Sequence, residues 1–231
     1  MNIFHIILTK PLLNLLIWFY NVLPGSDIGL AIIAVTLLVR LLLFPSFQKS
    51  LKAQKELQQL QPKLEEIKAK HKGDKEAETK AILAFYQENK INPFSSCLPL
   101  LVQLPILIAL YSVFRTGLSG QIAGELYPFV TNPGTINTQL FGLIELANPN
   151  LAFALIAGFS QFVQSKLMAP KIKPKDSTAS MMNMQFTYVM PIITVVVAMS
   201  LPAGLSLYWI ITTLFAIGQQ WYIMRKRNVN A

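Results

Sequence analysis

Residues 28–47, IGLAIIAVTLLVRLLLFPSF, are almost uniformly apolar, with one arginine among them. Twenty residues at about 1.5 Å each cover the roughly 30 Å of hydrocarbon in a bilayer, so this run predicts a membrane-spanning helix. Further apolar runs at about 94–115, 149–168, 185–201 and 203–223 predict four more spans. Asn148 suits the cap of the third span and Pro149 its first helical position. The last two spans meet at a tight turn around SLPAG (200–204) and so predict a hairpin. Pro99, Pro105 and Pro191 lie inside spans and predict kinks. Within residues 1–27 the stretch 3–23 is apolar too, but His5, Lys10, Pro11 and Asn14 interrupt it, and Trp18 and Tyr20 suit a headgroup region. Residues 1–27 read as an amphipathic helix lying in the interface rather than a further span, the alternative left open, and are ended by PGSD (24–27).

Residues 48–92 differ in kind, being charged and helix-prone. Leu57, Leu60, Leu64 and Ile67 repeat at three-four spacing and give one apolar seam. HKGDK (71–75) reads as a turn, and a second helix over about 75–90 offers Ala77, Ala81, Ala84 and Phe85. The expectation is an antiparallel helical hairpin outside the membrane. Residues 116–148 and 169–183 read as loops. The fold class is therefore an all-α integral membrane protein: a five-span helical bundle with a helical hairpin and an N-terminal interfacial helix. Spans two to five and their loops occupy 93–231.

Composition agrees: 53% of the 231 residues are hydrophobic and 13% charged, about half the charged fraction of a soluble domain. The formal net charge of +9 is distributed with a clear bias. Lys49, Lys52 and Lys55 follow the first span, Lys166, Lys171, Lys173 and Lys175 surround the 169–183 loop, and Arg225, Lys226 and Arg227 follow the last span. Residues 116–148 contain no Lys or Arg, only Glu125 and Glu145. The positive-inside rule then puts the hairpin, the 169–183 loop and the C-terminus in the cytoplasm and the N-terminus outside, which five spans allow. Nothing in this pattern singles out nucleic acid, though anionic headgroups or ribosomal RNA would meet the same charge. Cys97 is the only cysteine, so no internal disulfide forms. His5 and His71 sit far apart, and neither a metal site nor a cofactor site is expected. The N-terminus lacks the cationic start and small-residue cleavage site of a removable signal peptide.

Arg40 falls about 18 Å from the outer end of the first span and about 10 Å from its inner end. A charge at the centre of a bilayer costs about 2.5–3.5 kcal/mol on insertion scales. Two readings stay open: the side chain snorkels to the headgroups, or it faces a wet cavity inside the bundle. Other polar residues share its depth. Gln103 lies in the second span, Ser160, Gln161, Gln164 and Ser165 in the third, Gln185, Thr187 and Tyr188 in the fourth, and Thr212, Thr213, Gln219 and Gln220 in the fifth. Each could be interhelical hydrogen-bond glue. Their common depth favours a hydrophilic recess open to the cytoplasm. Asp27, Glu125 and Glu145 lie outside the spans, so Arg40 has no intramembrane carboxylate to pair with. A lone cation in such a recess attracts acidic or polar groups arriving from the cytoplasm.

LPLLVQLPILIALYSVF (98–114), PAGLSLYWIITTLFAIGQQW (202–221) and the arginine followed by LLLFP (41–45) resemble the YidC/Oxa-type membrane protein insertases. The likeness covers roughly Ile28 to Tyr222 and includes the hairpin after the first core span. It implies a five-span core with a hydrophilic groove open to cytoplasm and lipid, Arg40 as the groove arginine, and client exit past the third and fifth spans. Taken with the shared depth, it makes Arg40, Gln103, Gln161, Gln164, Thr187, Tyr188, Trp209 and Thr213 the candidate groove residues, of which the likeness gives only Arg40 a clear groove role and leaves packing open for others. Tyr111, Gly204, Tyr208 and Gln219 also fall on motif positions. Thr213 stands where many relatives have Asn. The sequence shows neither the large extracytoplasmic domain nor the long basic tail of some members, as expected of a short bacterial form.

The implied partners are nascent membrane proteins and the lipid bilayer of a bacterial inner membrane, with the ribosome and the Sec translocon as further candidates. No ATP motif is present, and no catalytic residues are expected. Met168, Met181, Met182, Met184 and Met190 flank the 169–183 loop and offer an adaptable apolar surface, or are ordinary membrane-helix methionines. The rival function is transport of a small solute or ion, against which stand the missing inverted repeat and the missing intramembrane carboxylates. An intramembrane protease would need a Ser/His pair or paired aspartates in the spans, and there are none.

Overall fold

Pro45 decides where the first apolar run bends. The computed structural model describes residues 3–89, 98–118, 122, 124–169 and 183–228, with backbone only at 98–102, 115–118 and 224–228. In it helix α2 (Ile28–Leu42) ends at Leu43, and α3 (Phe44–Lys70) departs at 65°. A proline in the first turn of α3 donates no hydrogen bond, and its ring crowds the carbonyl four residues back. The helix that begins at Ile28 therefore stops short of Phe47, and Phe44–Phe47 belong to the departing helix. Cys97, Met181, Met182 and residues 170–182 lie outside the described residues.

Over the charged region α3 and α4 (Lys75–Glu88) pack together. Asp74 caps α4 by accepting from the Glu76 and Ala77 amides. Leu64 of the seam is buried and Leu57, Leu60 and Ile67 are half-buried; on α4, Ala84 is exposed rather than in the seam. The Gln58 side-chain amide donates to the Met168 carbonyl, which ties α3 to the end of α6 (Leu151–Met168).

α5 (Leu98–Leu118) runs continuously through Pro105. The third apolar run begins later than expected. Asn150, not Asn148, caps α6, its Oδ1 accepting from Phe153 N at 3.2 Å. The Asn148 carbonyl is otherwise engaged, accepting from Ala203 N at 2.9 Å. α7 (Met190–Ala198) and α8 (Ala203–Asn228) follow, joined by the expected tight turn. Pro191 is accommodated by a wide π-helical turn at Gln185–Val189 immediately before it. Pro11 has the same arrangement, with a π-turn at His5–Thr9 leading into α1 (Lys10–Val22). In both places the wider turn relieves the crowding between a proline ring and the preceding turn.

α8 packs against α2, α5 and α6, and α7 packs chiefly on α6. Gly158 lets α6 and α7 approach, since a Cβ there would lie 2.3 Å from Val195 Cγ2 and 3.0 Å from the Pro191 carbonyl. α1 lies across the bundle end at which α2 begins. Its Leu13, Leu16 and Ile17 meet Ile28 of α2, Val113 and Phe114 of α5, and Ile136. Full burial of side chains such as Leu13 and Ile17 is worth about 1.5–3 kcal/mol each. The other edge of α1 is polar and faces the 122–146 loop. Asn14 donates to the Glu125 carbonyl (2.9 Å) and accepts from Tyr127 N (2.6 Å), while the Tyr20 hydroxyl accepts from Asn137 N (2.8 Å). That loop carries a small antiparallel ladder, β1 (Gln139–Leu140) with β2 (Ile144–Glu145).

Among the described residues, α6 alone is long and apolar enough by itself to cross a membrane, and the bent α2–α3 pair passes the same test jointly. Residues Gln103–Phe114 and Gln185–Ala198 form shorter apolar helices.

Candidate functional site

Arg40 sits in the last turn of α2, where helix carbonyls without intrahelical partners favour a cation. It does not extend into the surroundings: the residue is 8% exposed. Its Nη2 donates to Gln103 Oε1 of α5 at 3.3 Å. Its guanidinium lies over the Phe47 ring, 4.4 Å from the centroid, a cation–π contact made possible by the bend at Leu43. The Gln103 amide donates onward to the Tyr208 hydroxyl of α8 at 2.6 Å. Three helices are thus joined by a chain from guanidinium through amide to phenol. Among the described residues no carboxylate lies within ion-pair reach of Arg40. A buried charge whose partners are all neutral keeps its field available to an arriving anion, because no fixed counter-ion cancels it.

Around this chain α8 presents a buried polar stripe: Thr212, Thr213, Gln219 and Gln220. Gln219 donates to the Phe44 carbonyl at 3.2 Å, holding the first turn of α3 against α8. Gln220 Oε1 is buried with no partner among the described residues.

The other candidate residues fall into different settings. Gln161 Oε1 accepts from both Thr194 (2.8 Å) and the Trp209 indole (3.1 Å), joining α6, α7 and α8. Gln161 and Trp209 thus form an interhelical junction of their own. Tyr188 is exposed, and its hydroxyl accepts from Lys166 Nζ at 2.7 Å, with the ammonium also over the Tyr188 and Phe162 rings. Thr187 is buried in the π-turn and Gln164 is half-buried on α6. The structure brings together Arg40 and Gln103, and separately Gln161 and Trp209. Tyr208 and Phe47 complete the Arg40 chain without having been singled out for it. Tyr208 was findable, since it precedes Thr212 by one helical turn and so shares its face.

The architecture is that of a helical membrane protein with a polar chain inside its bundle. Residues 18–230 match the family described as 60Kd inner membrane protein, and the chain belongs to that family. A protein of Fusobacterium nucleatum subsp. nucleatum named membrane protein insertase YidC is 36% identical over 87% of this chain and 88% of its own length. Proteins of the same name from Pelobacter propionicus and Lawsonia intracellularis are 33% and 34% identical over 96% and 95% of the chain. The chain spans 39% of the length of each of those two relatives.

Proposed function

We propose that this protein is an insertase of the bacterial inner membrane, acting on nascent membrane proteins through a hydrophilic recess centred on Arg40. The family and the names of its relatives support insertion over solute transport. The observation that carries the mechanism is the inward-turned Arg40, buried yet held, among the described residues, by neutral partners, the Gln103 amide and the Phe47 ring. An incoming polar tail faces a cost of several kcal/mol for each unsatisfied backbone group in hydrocarbon. A recess in the inner half of the bilayer shortens that crossing, and Arg40 draws acidic or polar groups into it. The client's own apolar segment then partitions to lipid, worth about 0.3–0.6 kcal/mol per Leu, Ile, Phe or Val. An acidic tail moving outward also gains about 2.3 kcal/mol per charge per 100 mV. Neither step calls for ATP hydrolysis.

The accompanying topology is five spans, with the N-terminus outside and the C-terminus in the cytoplasm. The contacts of α1 with Ile28 and with the 122–146 loop fit a helix lying at the outer interface. The α3–α4 hairpin then projects into the cytoplasm, where a ribosome or Sec translocon would meet it. The test is insertion by purified protein in proteoliposomes. Arg40→Ala should lower insertion of an acidic-tailed client by about tenfold, the effect of about 1.4 kcal/mol, and leave a purely apolar client nearly unchanged. Equal losses for both clients, or none, would rule out the role of this charge.

A further inference from the structure

The turn between β1 and β2 combines features that a solvent-facing hairpin has no reason to combine. Its residues are Phe141, Gly142 and Leu143; Phe141 is 64% exposed and Leu143 84%. Phe141 also adopts φ +53°, in the left-handed region where aromatic residues are uncommon and Asn or Gly is the usual choice. The turn is nevertheless held firmly. Asp27 accepts from the Gly29 and Leu30 amides through Oδ1 and from the Phe141 amide through Oδ2, so the cap of α2 also fixes the turn. Leu143 N donates to the Leu140 carbonyl at 3.0 Å, and Leu140 is buried against Gly29. Beyond β2, the Leu146 and Asn148 carbonyls accept from Gly204 and Ala203 at the start of α8. A rigid base thus holds two large apolar side chains outward at the level where α2 and α8 begin.

We propose that this tip is a lipid anchor, with Phe141 and Leu143 seated in the headgroup–acyl boundary of the leaflet at which α2 and α8 begin. The placement makes the tip continuous with the lipid-facing surface. A few residues later the chain enters α6, whose exposed Leu151 and Leu155 belong to that surface. The charge pattern fits as well. The 116–148 loop has no Lys or Arg, and the nearby Glu145 carboxylate is turned back onto Ala147 N (2.9 Å), so the tip itself is uncharged. Apolar side chains on a fixed support enter that boundary without the ordering cost of a flexible loop. Anchoring there would hold the loop against the membrane and, through Asp27, fix the tilt of α2, the helix that carries Arg40.

The experiment uses the full chain with Cys97→Ser, reconstituted in phosphatidylethanolamine–phosphatidylglycerol vesicles. Leu143→Cys and, separately, Phe141→Cys carry an environment-sensitive NBD fluorophore, and Thr135→Cys on the same loop serves as the solvent reference. Expected are blue-shifted emission at 143 and 141, loss of signal to a nitroxide near the headgroup end of the acyl chain, and protection from aqueous iodide. Thr135 should show the reverse. Water-like emission with iodide quenching at both tip positions would overturn the proposal. So would protection from both quenchers, which would mean that protein, whether a second copy or another chain, covers the tip.

Discussion

Gln103 stands between a charge and a phenol: its Oε1 accepts from Arg40 at 3.3 Å while its Nε2 donates to Tyr208 at 2.6 Å. An amide accepts at one end and donates at the other, as these two contacts require. Gln103→Leu should therefore strand both neighbours at once. A buried partner left unsatisfied costs roughly 1–3 kcal/mol, more when it is charged. Tyr208→Phe removes only one acceptor, from an amide, and should cost less. Thermal unfolding in detergent should rank Gln103→Leu well below Tyr208→Phe, and a double-mutant cycle should show that the two are coupled. Independent, additive losses would mean that the chain does not act as a unit.

Gln161 bonds α6 to α7 and α8 through Thr194 and Trp209. Interhelical hydrogen bonds in membranes average about 0.6 kcal/mol, with a maximum near 1.7. Gln161→Leu breaks two of them and should lower stability by about 1–2 kcal/mol. Insertion of acidic-tailed and apolar clients should fall in equal proportion, unlike the selective loss expected for Arg40→Ala. A selective loss in Gln161→Leu would instead make this residue part of the client path.

The contrast between Gln103 and Gln161 marks what the sequence could disclose. Both are glutamines inside apolar runs, and depth alone grouped them. Depth is a one-dimensional coordinate; it carries no information about which face of α8 meets which neighbour. Tyr208 and Trp209 are adjacent in sequence, yet one meets Gln103 and the other Gln161. The helix pair over the charged region, the tight turn before α8 and the helix break at PGSD were legible because each depends on local chemistry. The bend at Leu43 was also local, written in Pro45, but a continuous apolar run hid it. The shift of the α6 cap from Asn148 to Asn150 was not local. The Asn148 carbonyl is committed to the start of α8, far along the chain.

Gly158 sets the spacing between α6 and α7. Gly158→Leu would drive its side chain into Val195 and the Pro191 carbonyl, where even a Cβ has no room. Overpacking of this kind costs about 1–3 kcal/mol. Val195→Ala in the same chain should recover part of the loss, because Cγ2 of Val195 is the nearest obstacle. Unfolding midpoints of the single and double variants decide the matter; absence of any rescue would place the strain on the backbone contact instead.

Glu145 gives the loop a pH dependence of known sign. A hydrogen bond from the Thr138 side chain, followed by one from the Ala147 amide, holds its carboxyl below the ordinary glutamate value. A group with a depressed folded pKa stabilises the fold above its unfolded pKa, and that contribution disappears as pH falls through the folded value. The β1–β2 loop should therefore loosen on acidification, in the range below the usual glutamate titration. Thr138→Val removes the larger cause and should move the Glu145 titration upward, bringing the loosening to higher pH. The carboxyl carbon of Glu145, followed by NMR in micelles or nanodiscs, reports the midpoint directly. Hydrogen exchange at Leu146 N, which donates to the Thr138 carbonyl at 2.9 Å, reports the loosening. An unmoved midpoint in Thr138→Val would show that the backbone amides of Ala147 and Leu146, not Thr138, set the shift.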